Sequence, residues 1–189
     1  RSMEDSTTSS DNTAIGWGSL TENTTGASNT ALGRSALSAN TTASNNVAVG
    51  NGALATEDTG GRSVAVGVNA LGQQNTDGNI YNVAVGHAAG NNVSIGIQNT
   101  FVGALSGDAT NDGAENTAIG YASLSANCGN GNTTAGHASL FLCTGAGNTA
   151  MGASAGSAIT SGGNNLTLGK DTGITGSPGG AQTTASNVI

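Results

Sequence analysis

The side chains able to do chemistry are few and far apart. His87 and His137 stand 50 residues from each other, and Cys128 and Cys143 stand 15 apart. Carboxylates gather at Glu57-Asp58, at Asp77, and at Asp108, Asp112 and Glu115. Cleavage of a polysaccharide by paired acids needs two carboxylates at a fixed separation beside a cleft. These acids lie instead in polar stretches that read as loops. Zinc needs clustered Cys and His at short spacings, and the chain has no Cys-x-x-Cys. A calcium-binding β-roll needs a Gly/Asp nonapeptide pattern, and the glycines here have no partner Asp. No catalytic residue, no metal site and no cofactor is expected.

What would position any of these groups is a repeat. Ten times the chain spells a variant of Asn-Thr/Val-Ala-Ile/Val/Leu-Gly, closing at Gly16, Gly33, Gly50, Gly67, Gly86, Gly103, Gly120, Gly136, Gly152 and Gly169. The closing glycines keep a nearly constant spacing, longest between Gly67 and Gly86 and shortest between Gly120 and Gly152. A short period held from end to end means one unit stacked many times. The expectation is an all-β parallel solenoid of about ten short coils over residues 12–173. Residues 1–11 read as an expression remnant, Arg1-Ser2-Met3, and a lead-in. Residues 174–189 read as an extension or the start of a further repeat, Asn187-Val188-Ile189. The chain is therefore expected to be a fragment.

Within each repeat, Asn-Thr-Ala-Ile-Gly fits a very short strand whose side chains alternate between two faces. The fourth position (Ile15, Leu32, Val49, Ile119, Leu168) is read as the inward, core-filling one, with Thr or Val of the second position beside it. The third position then faces out. It holds Ala14, Ala31, Ala48, Ala65, Ala84, Ala118 and Ala150, with Phe101 as an exception. A face this small and uncharged is expected to meet the same face of sister chains. The glycine permits a tight turn. A following Leu, as in Ser35-Ala36-Leu37, is expected to close the coil from the opposite side. Stacked about 4.8 Å apart, ten rungs span roughly 50 Å, and the first-position Asn residues are expected to form a ladder.

The residue after each turn glycine varies: Trp17, Arg34, Asn51, Val68, His87, Ala104, Tyr121, His137, Ala153 and Lys170. More than half of the aromatic, basic and imidazole side chains fall on this stripe. Trp and Tyr stack on sugar faces or apolar patches, and Arg and Lys meet anions. Trp17, Arg34, His87, Tyr121, His137 and Lys170 are accordingly the candidate receptor contacts. The two histidines are three rungs apart, too far for one metal. Cys128 and Cys143 are nearly in phase on adjacent repeats, which leaves both a disulfide and two free thiols open.

Composition narrows the partners. The net charge is −7, and the only basic residues are Arg1, Arg34, Arg62 and Lys170; nucleic-acid binding demands basic clusters. No apolar run approaches the length of a membrane span. Gly, Asn, Ser and Thr dominate, but disordered polar tracts do not hold Val and Ile at fixed phase through ten copies.

These motifs resemble the head repeats of trimeric autotransporter adhesins, the YadA-like head family, over residues 12 to about 173. The resemblance implies a left-handed parallel β-roll assembled as a homotrimer. The family's repeat is somewhat shorter, so the outer loops differ. The wording also resembles repeats of virus and bacteriophage tail fibres, notably at Asn116–Leu124, around Gly152–Gly169 and in the closing Ala181–Ile189. The resemblance implies a stiff fibre segment that presents loops to a host glycan or protein, on a virion surface or, in the alternative, on a bacterial outer surface. Two other classes are weaker. A polysaccharide-degrading spike lacks its groove and acid pair. An ice-binding solenoid needs a flat exposed Thr array, and Thr13, Thr30 and Thr117 are read here as facing inward.

Overall fold

A computed structural model describes residues 2–3 and 7–173. The 174–189 segment assigned to an extension or further repeat lies outside the described residues. Ten three-residue strands follow in order: β1 Thr13–Ile15, β2 Thr30–Leu32, β3 Val47–Val49, β4 Val64–Val66, β5 Val83–Val85, β6 Thr100–Val102, β7 Thr117–Ile119, β8 Thr133–Ala135, β9 Thr149–Met151 and β10 Leu166–Leu168. They form one parallel sheet in sequence order. Equivalent residues face each other, as in Ala31↔Ala48 and Leu32↔Val49. The chain is an all-β parallel solenoid of about nine turns, with no helix among the described residues.

Each strand ends at a turn glycine. Gly67 has φ +141°, a region closed to side chains by its backbone angles alone. The next rung makes the requirement absolute, because a Cβ on Gly67 would lie 2.2 Å from the carbonyl oxygen of Gly86. Across the turn, a column of leucines (Leu20, Leu37, Leu54, Leu71, Leu124 and Leu140) is fully buried. They close the coil from the opposite wall, as expected. All six adopt left-handed backbone, φ +46° to +56°, which costs an L-residue roughly 1–2 kcal/mol. Each also donates its N–H to the next coil, as Leu37 does to Ala53 at 3.1 Å, and that bond with side-chain burial offsets the cost.

The strand faces are the reverse of the expectation. Ala31, Ala48, Ala65, Ala84, Phe101, Ala118 and Ala150 are fully buried inside the chain's own core; Ala14, on the terminal strand, is half-buried against it. The fourth position points outward: Ile15 is 60% exposed, Ile119 46% and Leu168 56%. The physical reason is width. Leucine from the far wall fills the coil interior, and only a small side chain fits opposite it, alanine on most rungs and Thr134 on the rung of Leu140. Where the third position is large, at Phe101, the far wall is glycine: a Cβ on Gly107 would sit 2.4 Å from the Phe101 ring, and one on Gly90 would sit 2.8 Å from it. The alanines named as trimer contacts are therefore core residues.

The Asn ladder exists, but most of its bonds run from amide to backbone. Asn29 Oδ1 accepts the N–H of Asn46 at 2.9 Å, and Asn29 Nδ2 donates to the Ala43 carbonyl at 2.8 Å. The same pair of bonds recurs at Asn46, Asn82, Asn99 and Asn148. Direct amide–amide bonds occur toward the C-terminal end, as from Asn165 to Asn148 at 2.8 Å. Each of these asparagines thus satisfies backbone that a coil this thin would otherwise leave unpaired; Ser63, at the same position, bonds the Gln74 side chain instead. The second motif-like piece, Asn92–Gly96, forms no strand and lies in the loop of its coil.

Candidate functional site

Two surfaces run the length of the solenoid. The first is the outer face of the sheet. Its fourth-position column is Ile15, Leu32, Val49, Val66, Val85, Val102, Ile119, Ala135, Met151 and Leu168, every member exposed or half-buried. Beside it run Thr13, Thr30, Val47, Val64, Val83, Thr100, Thr117, Thr133, Thr149 and Leu166. Neither column contains a charged side chain. Three-residue strands in perfect register make this face regular, and on the rungs with an inward alanine it carries both larger side chains of the strand. A continuous apolar strip of this kind makes the face the first candidate surface.

The second surface is the stripe after the turn glycines. Trp17, Arg34, His87, Tyr121, His137 and Lys170 are all exposed. Stacking of rungs brings neighbours together in pairs. The Arg34 guanidinium lies 5.3 Å from the Trp17 ring centroid, within range of a cation–π contact. The Tyr121 and His137 rings stack at 5.4 Å with planes 15° apart. Lys170 pairs with its exposed neighbour Asp171 at 3.7 Å. His87 has Val68 and Ala104 on the flanking rungs and joins no ring. The two histidines are not brought together, and no metal-competent group of three or more His, Cys, Asp or Glu occurs among the described residues.

One surface pair falls outside the stripe. Arg62 donates to the Tyr81 hydroxyl at 2.9 Å, with its guanidinium 5.7 Å from the ring centroid. Both lie in the loops before β4 and β5. Each stands five residues before a turn glycine, Gly67 or Gly86, which gives the two the same rung position.

One acid turns inward, and of the two alternatives for the thiols the structure shows the free one. Glu57 lies in the loop between β3 and β4, as expected, but it is fully buried. Cys128 and Cys143 are free and buried in the core. Burial pushes the Cys128 thiol up to about 11, against the opposing hydrogen bond with Thr110. Burial likewise raises Cys143. Both are protonated at neutral pH, and the thiol rather than the thiolate is a poor nucleophile. The premise used against ice binding also falls, because Thr13, Thr30 and Thr117 stand on the outer face with the exposed Ile and Leu.

No protein-family model, no curated protein and no solved structure matches this chain. Among the described residues, no helix is long and apolar enough to cross a membrane.

Proposed function

We propose that the chain is a segment of a homotrimeric host-attachment fibre of a virus or bacteriophage, a left-handed β-roll whose outer loops meet a host glycan or protein. The head of a bacterial trimeric adhesin is the alternative within the same mechanical class. The observation that carries this reading is the uncharged apolar sheet face, which extends from β1 to β10. Left in water, that face is costly at roughly 25 cal/mol per Å² of apolar area. Packing it on the same face of two sister chains buries it along the whole rod. Symmetry makes such a contact self-consistent, since every rung meets its own equivalents. The assignment of the contact to this face replaces the alanine face expected from sequence.

Light scattering on the chain should give three times the 18.0 kDa of one protomer. Val85→Asp with Val102→Asp puts like charges on adjacent strands of that face without touching the core. The pair should reduce the mass to that of one chain while the β-sheet circular dichroism persists. A wild-type chain that keeps the mass of a single protomer across the micromolar range would remove the trimer.

The fibre reading assigns the stripe to the receptor. Ala replacement of Trp17, Tyr121 and Lys170 together should weaken binding to host cells at least tenfold, because exposed aromatic anchors dominate such contacts. Unchanged binding would make this segment a spacer. A second reading has its own observation: six of the ten second-position residues are Thr on a flat outer face. If that face binds ice, the chain is a monomer and shows thermal hysteresis.

A further inference from the structure

A second inward column runs beside the Asn ladder and holds Asn23, Asn40, Glu57 and Gln74, each one repeat after the last and all fully buried. Its members bond head to head between coils. Asn40 Nδ2 donates to Asn23 Oδ1 at 2.7 Å, and Gln74 Nε2 donates to Glu57 Oε2 at 2.7 Å. In both cases the amide of one coil supplies the N–H to the oxygen of the coil before. The link between Asn40 and Glu57 breaks the series, because a carboxylate has no hydrogen to give. Asn40 Oδ1 is buried there without any partner.

We propose that Glu57 is held as a neutral carboxylic acid whose O–H donates to Asn40 Oδ1, so that a proton closes the joint between the second and third coils. The acid retains acceptor capacity on both oxygens, so its other contacts survive. These are the N–H of Gly60 to Oε1 at 2.7 Å and the amide of Gln74 to Oε2. Protonation supplies the one missing donor and removes a buried charge in the same step.

The groups around Glu57 favour this state. On its own coil, Asp58 is a second carboxylate; on the fourth coil, Asp77 is another, hydrogen-bonded to the Thr59 hydroxyl. The second coil presents Asn40 and Thr41, and Thr41 bonds Asp58. Gln74 is held in turn by Ser63 and Asn82. The nearest cation along the chain, Arg62, is exposed and engaged with Tyr81. Burial raises the Glu57 pKa from 4.5 to about 7, opposed by the bonds from Gln74 and Gly60 and reinforced by Asp58. A raised acid pKa means that the folded chain keeps a proton the unfolded chain has lost. This contribution to stability is complete below pH 4.5, declines as pH rises to about 7, and is gone above it. The span corresponds to roughly 300-fold in the folding equilibrium.

The experiment is a pH titration of the full chain, reading the Glu57 side-chain carboxyl carbon by NMR. A midpoint near 7 is expected, and one near 4.5 overturns the proposal. Thermal unfolding of wild type should weaken between pH 4.5 and 7 and then level. Glu57→Gln, a permanent donor, should lose that slope; a slope retained in full would place it on another group. Asn40→Ala should move the NMR midpoint downward, and an unmoved midpoint would refute Asn40 as the acceptor. If Glu57→Gln does not fold, the wild-type titration alone decides.

Discussion

Gly67→Ala is expected to prevent the solenoid from folding. The added methyl group would lie 2.2 Å from the Gly86 carbonyl oxygen, where real contacts do not occur. The obstacle is backbone of the next rung, so no rotamer change relieves it. Moving Gly86 away would break the strand bonds that hold β4 to β5. The backbone angle, φ +141°, adds its own strain. The loss should exceed about 4 kcal/mol, the range reserved for severe steric defects. Gly131→Ala is the control, since nothing lies within 4 Å of its added Cβ and its φ is +70°. It should cost only about 1 kcal/mol. Circular dichroism and thermal melts of the two variants provide the check. A Gly67→Ala chain melting within a few degrees of wild type would mean that the rungs do not stack as described.

Phe101→Ala should cost about 3–5 kcal/mol, as for other buried aromatic truncations. The ring occupies space that elsewhere belongs to the leucine column, between Gly90 and Gly107. Losing it leaves a dry void with glycine on its far wall. Gly107→Leu alone should also be damaging, because even its Cβ would meet the ring at 2.4 Å. Together the two changes should recover much of the loss. They recreate the Ala-and-Leu pair used on coils such as that of Ala31 and Leu37, and Gly107 already has the φ of +60° that those leucines tolerate. Chemical denaturation of the two singles and the double forms a mutant cycle with strong coupling. Simple additivity would mean that Phe101 and position 107 do not share one space.

The candidate surfaces were legible in unequal measure. The stripe from Trp17 to Lys170 follows directly from the period, because every rung repeats its position after the glycine. That Arg34 reaches Trp17, or that His137 stacks on Tyr121, follows once rungs are known to lie in register. Glu57 was hidden by its neighbours. Next to Asp58 and between polar residues it reads as a loop acid, and only its alignment with Asn40 one repeat before and Gln74 one repeat after places it inside. Cys128 and Cys143 share that inward position, which is why both are buried.

The sequence by itself determined the repeat, the short strands, their parallel in-register stacking, the turn glycines and the Asn ladder. All of these follow from one short period held throughout and from backbone chemistry common to every copy. Only the tertiary structure decided which strand face is inside. Alternation is symmetric: it says that Ala and Ile point opposite ways and nothing about which way the coil bends. Closure by leucine from the far wall leaves room only for a small side chain, alanine on most rungs and threonine at Thr134, and that volume limit turns the alanines inward and the larger apolar side chains out.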